Sequence, residues 1–251
     1  IDLVAFTGST ATGRRFLEYS AASNLKRIVL ECGGKNPQIV MSDSGDIKEI
    51  ASNVLAAAFW NMGENCSAGS RLIVHRSVKE SLLEEMLRQL SDEWITGDPL
   101  DPSVQLGALI EEAHMQKVMG FIEQAKADGL QPIVGGQRLN EATGGYFVAP
   151  TIFDDVPANA SVAIDEIFGP VLAVIPFDTE EEAIRIANDT CYGLAASLWS
   201  ENLNTVYRMS AAIRAGTISV NCFSEGDITT PFGGYKQSGF SGRDKSLHAH
   251  D

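Results

Sequence analysis

The chain has 251 residues, 44% of them hydrophobic, enough to bury one large core or two small ones. With 33 acidic against 19 basic residues its formal charge is −14, which argues against nucleic acid as a partner, because phosphate binding rests on basic patches that this sequence lacks. No apolar run has the length of a membrane span, and no charged segment followed by an apolar one opens the chain, so neither a membrane partner nor a signal peptide is expected.

The chain begins with Ile1, inside an apolar strand pattern, which raises the expectation of a C-terminal piece of a longer protein. "LVAF" reads as a strand and "STATGRRFLEYSA" as a helix opening on Ser9 or Thr10. The strand "RIVLEC" follows, then the helix "DIKEIASNVLAAAFWN" and the strand "RLIVH". "SVKESLLEEMLRQL" has Ser77 and Glu80 at capping-box spacing, and Leu82, Leu83, Met86, Leu87 and Leu90 form a helical stripe. The Pro/Gly-rich "GDPLDPSVQLG" is a loop, and "EEAHMQKVMGFIEQAKADG" an amphipathic helix with Gly129 as its stop. After the loop "GGQRLNEATGG", "YFVAPTIF" and "VLAVIPF" read as strands, and "TEEEAIRIANDT" as a helix with Thr179 and Glu182 at capping-box spacing. Strands "AASLWS" and "GTISVN" flank the helix "LNTVYRMSAAIRA". This alternation predicts an α/β fold with a mostly parallel sheet flanked by helices.

Two residues invite chemistry. Cys66 stands in "NMGENCSAGSR" among small and polar neighbours, where a planar electrophile can approach and backbone N–H groups can meet a developing oxyanion. A thiolate there needs its pKa lowered by dipoles or positive charge; on composition alone a satisfied loop cysteine is an equal alternative. Glu31 ends the strand in "LECGGK", before two glycines that permit a sharp turn. It reads as a general base or, alternatively, as a surface glutamate paired with Lys35. In "GSTATG", Gly8 and Ser9 lie between a strand and a helix N-terminus, a setting for a pyrophosphate or for an ordinary capped helix. Thr10 replaces the second glycine of the GxGxxG fingerprint. The four cysteines (Cys32, Cys66, Cys191, Cys222) form no CxxC pair, and the four histidines no HExxH, so reduced thiols in a cytoplasmic protein are expected, with no disulfide framework and no metal site.

Taken in order along nearly the whole chain, "FTGSTATG", "LECGGKNP", "NMGENCSAGSR", "DEIFGPV" and "PFGGYKQSG" resemble the NAD(P)-dependent aldehyde dehydrogenase superfamily. The resemblance implies an aldehyde dehydrogenase-like fold. Residues 1–33 would be the remnant of a Rossmann-like coenzyme domain, 34–238 the catalytic domain and 239–251 the start of a C-terminal tail. It implies Cys66 as nucleophile and Glu31 as the base that activates water. NAD or NADP would be held through Gly8, Ser9, Gly33, Glu166 (on the nicotinamide ribose) and Phe168 (beside the nicotinamide). Trp60 and Phe232 match aldehyde-tunnel positions, with plain core packing as the alternative; Glu225 and Asp227 match the tunnel mouth, with a solvated acidic loop as the alternative. "EGDITTPFGGYKQSG" with "GRDKSLHA" is similar to the bacterial branch that oxidises γ-glutamylamino-butyraldehyde and related aminoaldehydes. "SGFSGRD" carries one residue more than the usual spacing, and Asp244 stands where a glutamate is common. The small-molecule partner implied is an aldehyde, in a full-length enzyme that is a homo-oligomer. The alternatives are acyl transfer to coenzyme A, against which Glu31 argues, and an isolated catalytic portion without activity.

Overall fold

A computed structural model of the chain describes residues 1–223 and 227–240. The first half runs β1 (Leu3–Thr7), α1 (Thr10–Ala21), β2 (Arg27–Glu31), β3 (Pro37–Val40), α2 (Ile47–Phe59), β4 (Arg71–His75), α3 (Arg76–Glu93) and α4 (Glu112–Ala127). The second half runs β5 (Pro132–Val134), β6 (Arg138–Leu139), β7 (Phe147–Val148), β8 (Thr151–Phe153), α5 (Ser161–Ile164), β9 (Val171–Phe177), α6 (Glu180–Asn188), β10 (Ala195–Trp199), α7 (Leu203–Ala212), β11 (Thr217–Val220) and β12 (Gly239–Phe240). The main sheet has seven strands in the order β11-β10-β3-β4-β9-β8-β5, parallel throughout except for β5 against β8. A second sheet of three strands pairs β1 with β2 in parallel and β2 with β12 antiparallel.

β9 is apolar without interruption, and β4 between Arg71 and His75, because both faces of the main sheet are covered. Alternate residues go to opposite sides. Ile39, Ile73, Ala173 and Ile175 enter one core, with Met115, Val118 and Ile122 of α4, Ile186 of α6 and Met209 of α7. Val40, Leu72, Val74, Leu172 and Val174 enter the other, with Val54 and Leu55 of α2 and Leu82 and Met86 of α3. Of the stripe expected on α3, Leu82, Leu83, Met86 and Leu90 are in this core, and Leu87 is only partly buried.

Local departures from the sequence reading have physical causes. β3 lies at the sheet centre, yet its four residues follow Pro-flanked "GGKN" and give too short a pattern to be read as a strand. "YFVAPTIF" divides at Pro150, which has no N–H for a ladder: β7 pairs with β6, and β8 joins the main sheet. α3 starts at Arg76, and the His75 ring nitrogen, not Ser77, accepts the first-turn N–H (Ser77 N to Nδ1, 3.2 Å). In α6, Thr179 caps as expected by accepting from Glu182 N, but the Glu182 carboxylate reaches back to Asp178 N.

Arg71, 2% exposed at the start of β4, forms no ion pair with a carboxylate among the described residues. Its guanidinium donates to three carbonyl oxygens, of Lys35 (2.9 Å), Ile186 (3.0 Å) and Ala187 (3.0 Å), the last two at the C-terminal end of α6, where the helix dipole favours a cation. Burial lowers its pKa to about 10, with the Asp189 charge acting against that fall. Replacing it by methionine strands three buried acceptors. An Arg71→Met variant should lose about 3 kcal/mol of unfolding free energy in urea titration; an unchanged midpoint would refute this role.

Candidate active site

Two connections converge above the sheets. One is the turn Cys32–Asn36, which carries the chain from β2 in the small sheet to β3 in the large one. The other is the loop between α2 and β4 that holds Cys66. Asn36, 3% exposed, joins them: its Nδ2 donates to the carbonyls of Cys66 and Ala68, both at 2.9 Å, and its Oδ1 accepts from Ala195 N at 3.0 Å. Within the loop, Asn65 Oδ1 accepts from the N–H and the hydroxyl of Ser67 (3.1 and 3.0 Å). Cys66 is left half-buried.

The first turn is held from behind by the "KQSG" segment. Ser238, fully buried, donates its hydroxyl to Gly33 O (2.7 Å) and accepts from Gly193 N (3.0 Å), while its carbonyl accepts from Cys32 N (2.7 Å). Lys236 Nζ donates to the carbonyls of Asn188 and Thr190. This is the physical work of the motif "PFGGYKQSG". At the front, a Cβ on Gly33 would overlap the Glu166 carboxylate, so only glycine permits that approach. Glu166 Oε1 accepts from Gly34 N at 3.0 Å. Burial pushes the Glu166 carboxyl up, opposed by this bond and by the charges of Lys117 and Lys35.

The result is a cleft of about 480 Å³. It is lined by both predicted chemical residues, Glu31 and Cys66, and by all five predicted coenzyme residues, Gly8, Ser9, Gly33, Glu166 and Phe168. Glu31 is 6% exposed at the end of β2, not on the surface. A Glu31–Lys35 surface pair is not seen: Lys35 is buried, its Nζ makes no hydrogen bond among the described residues, and the carboxylates acting on it are Asp165 and Glu166. Ser9 is the N-cap of α1, its hydroxyl accepting from Thr12 N at 3.2 Å, and the helix N-terminus opens on the cleft.

Other predictions fall outside this cleft. Trp60 is 60% exposed at the end of α2, Phe232 is buried, and the Asp227 carboxylate accepts from the N–H and hydroxyl of Thr229. None of the three lines the cleft. Glu225 lies outside the described residues, as does most of the predicted tail, 241–251. The sequence reading missed Thr7, Cys32, Glu64, Asn65, His114 and Lys117 as lining residues. His114 and Lys117 are three apart on α4 and so share a face; that spacing was their only signal. The Cys32 thiol is pushed up chiefly by burial, then by the Glu31 charge. Among the described residues no cluster of metal-ligating side chains is found, and no helix is long and apolar enough to cross a membrane.

The aldehyde dehydrogenase family profile matches residues 1–251. The chain belongs to this family. It is 57% identical to an aminoacetaldehyde dehydrogenase of Pseudomonas aeruginosa, over all of the chain and 50% of that protein. It is 46% identical to an NADP/NAD-dependent aldehyde dehydrogenase of Escherichia coli, over 99% of the chain and 49% of that protein. Among solved structures, γ-glutamyl-γ-aminobutyraldehyde dehydrogenase from Burkholderia cenocepacia superposes with a TM-score of 0.95 at 51% identity, covering 99% of the chain and 50% of that structure. The chain thus spans about half the length of the relatives it matches. The α/β architecture expected of an aldehyde dehydrogenase is the one observed.

Lys35 gives a test of this family member's buried electrostatics. Burial first, and repulsion from Arg71 second, bring its ammonium from 10.5 down to about 7, against the pull of Asp165 and Glu166. Between these two values the unfolded chain binds a proton that the folded one does not, so unfolding free energy rises with pH across that window. Denaturant titrations at pH 7, 8 and 9 should show a rise of up to about 1.4 kcal/mol per pH unit that a Lys35→Met variant lacks. Identical pH slopes in parent and variant would contradict a depressed Lys35.

Proposed function

We propose that this chain is the nucleophile-bearing portion of an NAD(P)+-dependent aldehyde dehydrogenase that oxidises an aldehyde to its carboxylate. The observation that carries the reading is the convergence of Cys66 and Glu31 on one cleft that Gly33, Glu166 and the N-terminus of α1 also line. Aminoaldehydes, γ-glutamylamino-butyraldehyde among them, are the substrate class, supported by the names of the similar proteins and by the C-terminal motif.

The wall fits the coenzyme on structural grounds. A 12-residue helix opens on the cleft at Gly8 and Ser9, a setting for a diphosphate, and the half-buried Glu166 carboxylate suits a ribose hydroxyl. Gly33 and Phe168 would border the nicotinamide. When bound, NAD(P)+ supplies the hydride acceptor. The chain's own residues do the remaining work. Cys66 Sγ, as thiolate, adds to the aldehyde carbon, and the carbonyl electron pair moves to the oxygen, where N–H donors of the loop stabilise it. Once the acyl group is carried on Sγ, Glu31 takes a proton from the water that releases it as a carboxylate.

The reading includes the division of the chain into a coenzyme-domain remnant, 1–33, and a catalytic domain, 34–238, supported by the passage from the small sheet to the large one at Cys32–Asn36. It also includes a cytoplasmic location, supported by four free thiols, and a homo-oligomeric full-length enzyme, supported by the resemblance alone.

In the full-length enzyme, Cys66→Ala should abolish NAD(P)H production. Glu31→Gln should keep a pre-steady-state burst near one NAD(P)H per site while steady-state turnover falls on the order of 10²–10⁴-fold. Full turnover by the Cys66 variant would overturn the mechanism. Restoration of Glu31→Gln turnover to the parent rate by free coenzyme A would favour acyl transfer instead.

A further inference from the structure

His114 lies on α4, its side chain 14% exposed, and it touches both walls of the cleft. Its Nε2 is 2.5 Å from the carbonyl oxygen of Phe168. A carbonyl only accepts, so the imidazole proton is on Nε2 and is donated. The same nitrogen is 3.5 Å from Glu64 Oε1, a polar contact and not a second hydrogen bond, since the one Nε2 proton goes to Phe168; Glu64 Oε1 accepts from Ile110 N at 3.1 Å. The imidazole meets the Phe168 ring edge-on, with centroids 6.0 Å apart and planes at 71°.

Phe168 needs such a hold. Its φ of +59° is in the left-handed region, which a bulky side chain adopts only where the surroundings dictate it. Phe168 is 37% exposed, so core packing alone does not fix it. Glu64 is two residues before Cys66 and Phe168 two residues after Glu166. One imidazole therefore contacts the nucleophile loop and the coenzyme-facing loop together.

We propose that His114 is a positioning residue, which clamps Phe168 in its left-handed conformation and, through Glu64, sets the spacing between the Cys66 loop and the coenzyme wall. The effect on catalysis rests on the reading of Phe168 as a coenzyme contact; the clamp itself does not. His114 neither donates to substrate nor exchanges a proton with it.

The test uses the full-length enzyme and two polar replacements suited to a part-exposed helix position. His114→Gln places an amide N–H at a reach comparable to Nε2, whereas His114→Asn is too short. Without coenzyme, hydrogen–deuterium exchange of the peptide spanning 165–170 should be about fivefold faster in His114→Asn, the ratio for one lost hydrogen bond. The coenzyme KM should rise about fivefold with the aldehyde KM unchanged. His114→Gln should lie close to the parent in both. Parent-like exchange in His114→Asn, or equal loosening in both variants, overturns the clamp. Phe168→Ala separates the two layers: if it leaves the coenzyme KM unchanged while His114→Asn still loosens the segment, the clamp stands and the coenzyme role of Phe168 falls.

Discussion

The site depends on one buried amide. Asn36 uses three hydrogen-bonding capacities at once: two N–H bonds hold the carbonyls on either side of Ser67, and its oxygen takes Ala195 N at the start of β10. The orientation of the amide is not arbitrary, because two carbonyls need donors and one N–H needs an acceptor. A loop carrying a nucleophile has few apolar contacts of its own, so its rigidity has to come from bonds like these. Through Asn36 the Cys66 loop is tied to the same short turn that leaves Glu31. The relative placement of Cys66 and Glu31 is then set through a segment of five residues, Cys32–Asn36.

Around that amide, burial and charge pull against each other. Lys35 and Arg71 are neighbouring buried cations, and Arg71 meets carbonyl dipoles rather than carboxylates. The two acidic groups that act on Lys35 are on the segment Asp165–Glu166. Burial moves Lys35 down and Glu166 up, each toward its neutral form, while their mutual attraction opposes both shifts.

Much of this was legible in the sequence, and for identifiable reasons. Cys66 and Glu31 stand beside small residues that leave room for a ligand, Gly33 and Glu166 were singled out by the family resemblance, and the structure brings all four to one cleft. The parallel sheet followed from the alternation of apolar runs with amphipathic helices. What the sequence hid was relational. β3 has four residues and no pattern of its own, although it lies at the centre of the sheet. His114 and Lys117 are on a helix whose apolar stripe is a sufficient explanation of its sequence, so nothing in the helix itself marks them as facing a cleft. Trp60 and Phe232 were matched by position in a motif, and neither reaches the cleft wall. The capping choices at His75 and Glu182 differ from the pattern by two residues and by one, distances that backbone geometry decides and composition does not.

The two ends of the described chain complete the site together. β12 pairs antiparallel with β2, Gly239 opposite Glu31 and Phe240 opposite Leu30. A Cβ at Gly239 would overlap the Leu30 carbonyl, and its φ of +135° is one that other residues rarely adopt. Ser238 then bonds Gly33 across 205 residues of sequence. Thr10 of α1 donates to Gln237 O, and Arg14 to its side chain, so the helix that opens on the cleft is held by the same segment. Closing so long a loop costs entropy that grows only slowly with length, but no local contact can substitute for it. The turn that carries Glu31 and Gly33 therefore lacks its bonds at Cys32 N and Gly33 O until residues 236–240 have returned to β2. A cleft assembled in this way links the geometry of Glu31 and Gly33 to the completeness of the fold, because the last described strand supports both.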